Sequence, residues 1–90
     1  MRRKKSTKPS KTISQKLHFK KRFLERVGID CNRRLHNEIL SNVQNGKYKV
    51  HCKQSNRVTV FEMNYESRDY LIFYDRMRKS LITIIPAEEN

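Results

Sequence analysis

The spacing of apolar residues changes once along the chain, from a helical period to the alternation of strands. Residues 13–28 have the apolar spacing of an amphipathic helix. If each residue advances about 100° around the helix axis, we interpret their apolar side chains as sharing one broad side. They are Ile13, Leu17, Phe19, Phe23, Leu24 and Val27. Ser14 is a candidate N-cap, and Gly28 suits the left-handed residue that ends a helix. We therefore predict a first amphipathic helix with His18, Lys21, Arg22 and Glu25 on its polar side.

A second helix is predicted from about Cys31 to Asn45. Asp30 is its candidate N-cap, and Gly46 follows it as a terminator. Its apolar stripe is formed by Leu35, Ile39, Leu40 and Val43. His36 lies off this stripe and is predicted to be an exposed helix histidine.

From Lys47 onward the apolar residues alternate with polar ones, which is typical of strands. The first strand, 48–53, is an outer one that points Lys49, His51 and Lys53 to one face. The second is 57–65. Two apolar runs, YLIFY (70–74) and LITII (81–85), are rich in residues that favour sheets. We interpret this last pair as the two central strands of an antiparallel sheet.

The predicted fold class is α+β, with two N-terminal helices packed on one face of a four-stranded antiparallel sheet. The domain spans 13–86, between a disordered basic arm (1–12) and a loose tail (87–90). The last two strands are apolar on both faces, so the face without helices needs its own cover. The basic arm, a protein partner or second copy of the chain, and nucleic acid are the alternatives.

Charge narrows the class of partner. The formal net charge is +12, from 21 Lys and Arg against 9 Asp and Glu. Such an excess is typical of proteins that bind polyanions, most often nucleic acid and sometimes an anionic membrane, and we expect nucleic acid. No apolar run is long enough to span a membrane, and the basic N-terminus lacks the apolar segment of a secretory signal. A cytoplasmic protein without membrane contact is therefore expected.

Neither cofactor nor metal is expected. Cys31 and Cys52 are too few for a disulfide framework. His51 and Cys52 are neighbours in a predicted strand, so they should point to opposite faces and not share a metal. Carboxylates are scattered, and glycine occurs only at positions 28 and 46, which argues against two-metal and nucleotide-cradling enzymes.

Metal-independent RNA cleavage is the chemistry that the remaining residues allow. It requires proton transfer, which suits histidine, and stabilisation of a charged phosphate, which suits arginine and lysine. The candidate catalytic residues are His18, Arg22 and Thr83. The candidate nucleic-acid-binding residues are Arg2, Arg3, Lys4, Lys5, Lys21, His51, Arg57, Arg76, Arg78 and Lys79. Charge alone explains binding without catalysis equally well.

Four stretches of the chain carry a resemblance to a known family. They are LHFKKRFLERVGID (17–30), the end of the second helix at NGK (45–47), SNRVTVFEM (55–63) and YLIFYDRMRKSLITIIP (70–86). Together they resemble small phage- and bacterium-borne domains of the barnase/EndoU/colicin/RelE-like (BECR) group of ribonuclease folds. The resemblance covers about residues 17–86. It implies a toxin-like, metal-independent endoribonuclease acting on mRNA or tRNA, with His18 as acid/base, Arg22 and Arg26 following it, and Thr83 on the last strand. His51 has no secure counterpart in this pattern.

Three functions stay open at this point. The first is the RNA-directed ribonuclease, in which Arg22, Arg57 and Arg78 stabilise the phosphate. The second is a non-catalytic nucleic-acid-binding or ribosome-associated factor that uses the arm and the basic turn at 76–79. The third is a phage-type protein-interaction module that docks a partner on the second sheet face.

Overall fold

The computed structural model describes residues 11–87 and confirms the predicted α+β order. The elements are α1 (Lys11–Val27), α2 (Arg33–Gln44), β1 (Lys49–Lys53), β2 (Val58–Tyr65), β3 (Arg68–Asp75) and β4 (Ser80–Pro86). The predicted arm and tail lie almost wholly outside the described residues. None of the described helices is long and apolar enough to cross a membrane.

The sheet is a meander in the order β1-β2-β3-β4, with every pair antiparallel. The prediction that the last two strands are central is therefore wrong: β2 and β3 are central and β4 is an edge strand. Apolar residues on both faces indicate burial on both faces, but they do not specify how many strands lie beside a strand. The helix α1 packs against β4 and contributes to its burial.

One core cluster joins both helices to one sheet face, which we call the helix face. Phe61, Met63, Tyr70, Ile72 and Tyr74 contribute from β2 and β3. From the helices and their connection come Phe19, Phe23, Cys31, Ile39 and Val43. The two helices thus cover one face of the sheet, as the predicted architecture requires.

The orientation of α1 differs from the prediction. Phe19 and Phe23 are fully buried, whereas Leu17 and Leu24 are 57% and 50% exposed. At about 100° per residue, Phe19 points about 160° away from Leu17, so the two cannot face one core. The larger aromatic side chains occupy the interior because they bury more apolar area. Ser14 lies inside the helix and is not its N-cap.

The ends of the two helices follow local chemistry. Asn32, and not Asp30, caps α2, since its side-chain oxygen accepts a hydrogen bond from the Leu35 amide at 2.8 Å. Gly46 and Gly28 both have positive φ, 72° and 86°, and the Gly28 amide donates to the Leu24 carbonyl at 3.0 Å. The predicted glycine stops are therefore confirmed.

His36 is buried, which contradicts the predicted exposed histidine. It is 3% exposed, and its ring meets the Phe19 ring edge-on at 5.8 Å between centroids. The buried stripe of α2 runs through His36, Ile39 and Val43, at spacings of three and four residues. Hydropathy alone did not place a histidine on this stripe.

A bulge in β1 changes which side chains share a face. Lys49 pairs with Glu62 and Cys52 with Val60, which leaves His51 as the extra residue. Cys52 therefore joins Lys49 and His51 on the second face, and the opposite-face argument against metal binding fails. Even so, residues 11–87 hold no cluster of three or more His, Cys, Asp or Glu side chains that could bind a metal ion.

The second face is less open than the sequence suggests. Val60 and Leu71 are each 2% exposed although they lie outside the helix-facing core. Phe73, Thr83 and Ile85 beside them are partly buried. A protein partner or second copy of the chain on this face stays a prediction.

The β2–β3 turn offers a first test of local strain. Its two central residues, Glu66 and Ser67, have φ of 53° and 70°, as a two-residue type I′ turn requires, although neither is glycine. Ser67→Gly should raise the free energy of unfolding by about 1 kcal/mol in urea titrations, because glycine adopts positive φ without a steric penalty. Ser67→Ala keeps a Cβ in the same backbone conformation, and a gain there would contradict the explanation.

Candidate nucleic-acid interface

Four cations meet at one end of the sheet, which we call the cationic tip: Arg57, Arg76, Arg78 and Lys79. Residues 76–79 form the β3–β4 turn, and Arg57 immediately precedes β2. The Arg76 amide donates to the Arg57 carbonyl at 2.7 Å, and the Arg76 guanidinium donates to the Asn56 carbonyl at 3.0 Å. These bonds join the turn to the start of β2, so the four cations form one surface.

The buried carboxylate of Asp75 holds the residues of the cationic tip in place, and we call it the anchor of the tip. It is 1% exposed. Its Oδ2 accepts hydrogen bonds from Arg57 Nε at 3.0 Å, from Gln15 Nε2 at 3.2 Å and from Arg78 Nη1 at 3.5 Å. Its Oδ1 accepts from the amides of Met77 and Arg78 at 2.9 and 3.0 Å. One carboxylate thus fixes the turn, two arginines and the first helix.

Sequence reasoning missed Asp75 because it counted carboxylates only as catalytic candidates. A usable signal was present, since aspartate at the start of a polar turn commonly accepts bonds from amides two and three residues later. Ser80 belongs to the same contact region through a short side-chain contact with Gln15. The anchor therefore positions the tip relative to α1.

The four cations differ in whether they form an ion pair with Asp75. Arg57 and Arg78 each form an ion pair with Asp75. Among the described residues, Arg76 and Lys79 have no carboxylate partner. These last two are therefore the cations whose charge is most available to an anion.

An open cleft of about 470 Å³ borders the tip, between the end of α2 and the helix face of the sheet. We call it the tip cleft. Its lining is Val43, Gln44, Thr59, Phe61, Tyr74, Arg76 and Lys79. The lining combines two cations, two aromatic rings and a carboxamide, and none of the described residues contributes a carboxylate to it.

The predicted catalytic residues do not form part of this cleft. His18 is exposed on α1, and Arg22 pairs with Glu25 at 2.9 Å on the same helix. Thr83 faces the second side of the sheet, opposite Phe73. No hydrogen bond joins His18 or Thr83 side chains to the tip within residues 11–87. Their catalytic roles remain predictions.

The other binding candidates are spread more widely. Lys21 is exposed on α1, and Arg26 is partly buried there. Arg2, Arg3, Lys4 and Lys5 lie outside the described residues. The tip is thus the one place where the structure gathers several of the predicted binding residues, among those it describes.

His51 belongs to a different cleft, which we call the edge cleft. Its Nδ1 lies 3.1 Å from Glu62 Oε2. Together with Lys49, Asn64, Asp69 and Leu71, these two residues line a space of about 380 Å³. Asp69 and Asp75 are six residues apart on β3, which corresponds to about 20 Å along a strand. The edge cleft and the tip therefore lie toward opposite ends of the sheet.

Burial shifts the pKa values of two side chains that lie in the core, Cys31 and His36. Desolvation is the main reason that the pKa of the Cys31 thiol is raised to about 11. The charge of Lys20 lowers this pKa by a smaller amount, and the charge of Asp30 raises it slightly. Cys31 is thus a protonated, unreactive core thiol at neutral pH. Desolvation also lowers the pKa of His36; the nearby Asn37 side chain opposes this, and Lys16 and Lys20 add to it.

Comparison with known proteins adds nothing to this geometry. No protein-family model, curated protein or solved structure matches the chain. The likeness to BECR ribonucleases therefore rests on the four quoted stretches of sequence, and a function has to be argued from the site.

Proposed function

We propose that this is a nucleic-acid-binding protein, directed to RNA, whose principal phosphate contact is the cationic tip. The observation that carries the proposal is the tip's construction: one buried carboxylate holds the turn, while Arg76 and Lys79 have no carboxylate partner within residues 11–87. A net charge of +12 supplies long-range attraction to a polyanion. The choice of RNA over DNA follows from the resemblance, and association with the ribosome stays a prediction.

A fixed cationic turn suits a phosphate backbone for two reasons. Arginine forms paired hydrogen bonds to phosphate oxygens, and lysine adds a compact charge. Since Asp75 already orders the backbone of the turn, binding of a phosphate costs the conformational entropy of the two side chains but not that of the turn. Binding of this kind releases counterions and therefore weakens steeply with salt.

The double variant Arg76→Gln with Lys79→Gln tests the proposal. We expect the affinity for a labelled single-stranded RNA to fall at least tenfold at low salt, and the slope of log K against log salt to become shallower by about 1.4, which is two phosphate contacts on a single strand. Fluorescence anisotropy over a salt series measures both quantities.

The control removes the same charge elsewhere. Arg33 and Arg34 are exposed at the start of α2, away from the tip. Arg33→Gln with Arg34→Gln should reduce binding far less, because only the general field of the protein changes. Equal losses in the two double variants would show that net charge, and not the tip, determines binding.

A metal-independent ribonuclease is the second candidate, and the edge cleft favours it. A histidine held by a carboxylate, with Lys49 beside it, has its second ring nitrogen available for proton transfer. His51 thereby rivals His18, the acid/base residue that the resemblance implies.

RNA incubated with the protein in EDTA tests this candidate. If the candidate holds, cleavage persists without metal, and either His51→Ala or His18→Ala abolishes it while RNA binding is retained. Gel analysis of several RNAs, including mRNA on translating ribosomes, provides the measurement. The absence of cleavage from all of them would reject the enzyme and leave the binding function intact.

A further inference from the structure

The tip cleft contains more than a phosphate site requires. Two cations would suffice for a phosphate, yet the floor of the cleft is aromatic: Phe61 and Tyr74 lie 6.2 Å apart between centroids, at an interplanar angle of 71°. Both rings are largely buried, with 9% and 8% exposed, so they present edges and not whole faces. A planar, partly apolar group is what such a floor accommodates.

Polar groups with spare hydrogen-bonding capacity stand beside this floor. Gln44 Nε2 donates to the Tyr74 hydroxyl at 3.1 Å. The carboxamide keeps its oxygen and its second N–H, and the hydroxyl keeps its own proton to donate. The edge of a nucleobase offers the complementary donors and acceptors.

The bulge in β1 adds a cation at the border of the cleft. Strict alternation would place Lys53 on the second face with Lys49 and His51. In the observed register Lys53 pairs with Thr59, a lining residue of the tip cleft, and so lies on the helix face. The cleft is thus bordered by cations on two sides, while the carboxylate Asp75 is occupied by its own partners.

We propose that the tip cleft receives one unpaired nucleotide of a single strand, with its base against Phe61 and Tyr74 and its phosphates on Arg76 and Lys79. The inference rests on the proposed function and names its substrate class. A volume of about 470 Å³ is in the range of small-ligand sites and admits one nucleotide, whereas a paired base is held within its stack. The protein should therefore prefer unpaired RNA to a duplex.

Three labelled probes of equal length test the inference with the full chain: a single-stranded RNA, a blunt RNA duplex, and an abasic strand that keeps the phosphates but lacks bases. Fluorescence anisotropy should show the single-stranded RNA binding about tenfold tighter than the abasic strand of the same charge, the lower end of what one base contributes through contact with aromatic side chains. The duplex should bind more weakly than the single strand at matched salt.

A substitution in the tip cleft tests whether the preference for a strand with bases arises there. Gln44 is exposed, so Gln44→Leu should fold, and it should lower the affinity for single-stranded RNA several-fold without changing that for the abasic strand. Asn37→Leu, at an exposed position earlier on α2, is the matched control and should change neither affinity. Photocrosslinking with 4-thiouridine RNA should mark Phe61, Tyr74 or their neighbours in the cleft.

The possible results distinguish a failure of the nucleotide pocket from a failure of nucleic-acid binding as a whole. Equal binding of all three probes, or crosslinks confined to other surfaces, would overturn the nucleotide pocket while leaving a phosphate-binding tip. Tighter binding of the duplex would do the same and would favour backbone recognition of a helix. Failure of the wild-type protein to bind any probe at low salt would overturn both.

Discussion

Replacing Asp75 with alanine should lower the free energy of unfolding by about 3 kcal/mol. The carboxylate is buried and accepts five hydrogen bonds, two of them from backbone amides of the turn. Removing one partner of a buried ion pair costs about 3–5 kcal/mol. We take the lower end because Arg57 and Arg78 are partly exposed and can be rehydrated.

A loss of this size is a large part of the total stability. At about 0.05–0.15 kcal/mol per residue, a domain of this length has roughly 4–13 kcal/mol. Urea denaturation followed by circular dichroism gives the comparison, with Asp69→Ala as the control. Asp69 is exposed and accepts one hydrogen bond from Asn64, so its loss should cost well under 1 kcal/mol. Similar losses at the two positions would contradict the anchoring role of Asp75.

The Asp75 variant also tests how the tip is organised. Without the anchor, Arg57, Arg78 and the turn lose their fixed positions, so RNA affinity should fall although a negative charge has been removed. Electrostatics alone predicts the opposite sign, because the protein becomes more cationic. Asp75→Asn keeps the shape and one acceptor oxygen, and it should lie between the wild type and Asp75→Ala in both stability and binding.

His36→Leu should make the protein more stable, and the gain should grow as the pH falls. Neither ring nitrogen has a hydrogen-bond partner among the described residues, and a buried unsatisfied polar group costs about 1–3 kcal/mol. Leucine has a similar volume and no polar atoms. We expect a gain of about 1–2 kcal/mol at pH 7.5.

The pH dependence follows from the direction of the pKa shift. Burial holds the pKa of His36 below its ordinary 6.5 in the folded state, with Lys16 and Lys20 adding to the effect. Between that lowered pKa and 6.5 the unfolded chain binds more protons, so stability is fully present above pH 6.5 and decreases as the pH falls through this window. The slope approaches about 1.4 kcal/mol per pH unit at its steepest.

Unfolding measured from pH 7.5 to 5 tests this dependence. His36→Leu should remove the part of the slope that falls between the two pKa values, whereas His18→Asn, a change at an exposed histidine, should leave it in place. An unchanged slope in His36→Leu would show that other groups govern the acid sensitivity.

The order of elements could be predicted from the sequence because each depends on local chemistry. Gly28 and Gly46 end their helices through backbone conformation alone. The switch from a helical period to alternation after Lys47 likewise separates the helices from the strands by local pattern alone. Features that depend on partners distant in sequence could not be predicted in this way.

The rotation of α1 is one such feature. Leu17 and Phe19 are both apolar, and only the packing against the sheet decides which is buried. Asp75 is another, since its contacts to Gln15 and Arg57 span 60 and 18 residues. The candidate site was predicted in part: the turn at 76–79 is cationic in sequence, but its anchor, its cleft and the separate place of His51 arise from tertiary structure.

The bulge in β1 has a consequence for self-association. A strand with one free side offers amides and carbonyls that another molecule can pair with, and long regular edges of this kind promote aggregation. β1 is such an edge in the described sheet, yet it has five residues, begins and ends with lysine, and is irregular at His51. His51, whose ring contacts the Glu62 carboxylate, therefore also helps keep this edge from adding a foreign strand.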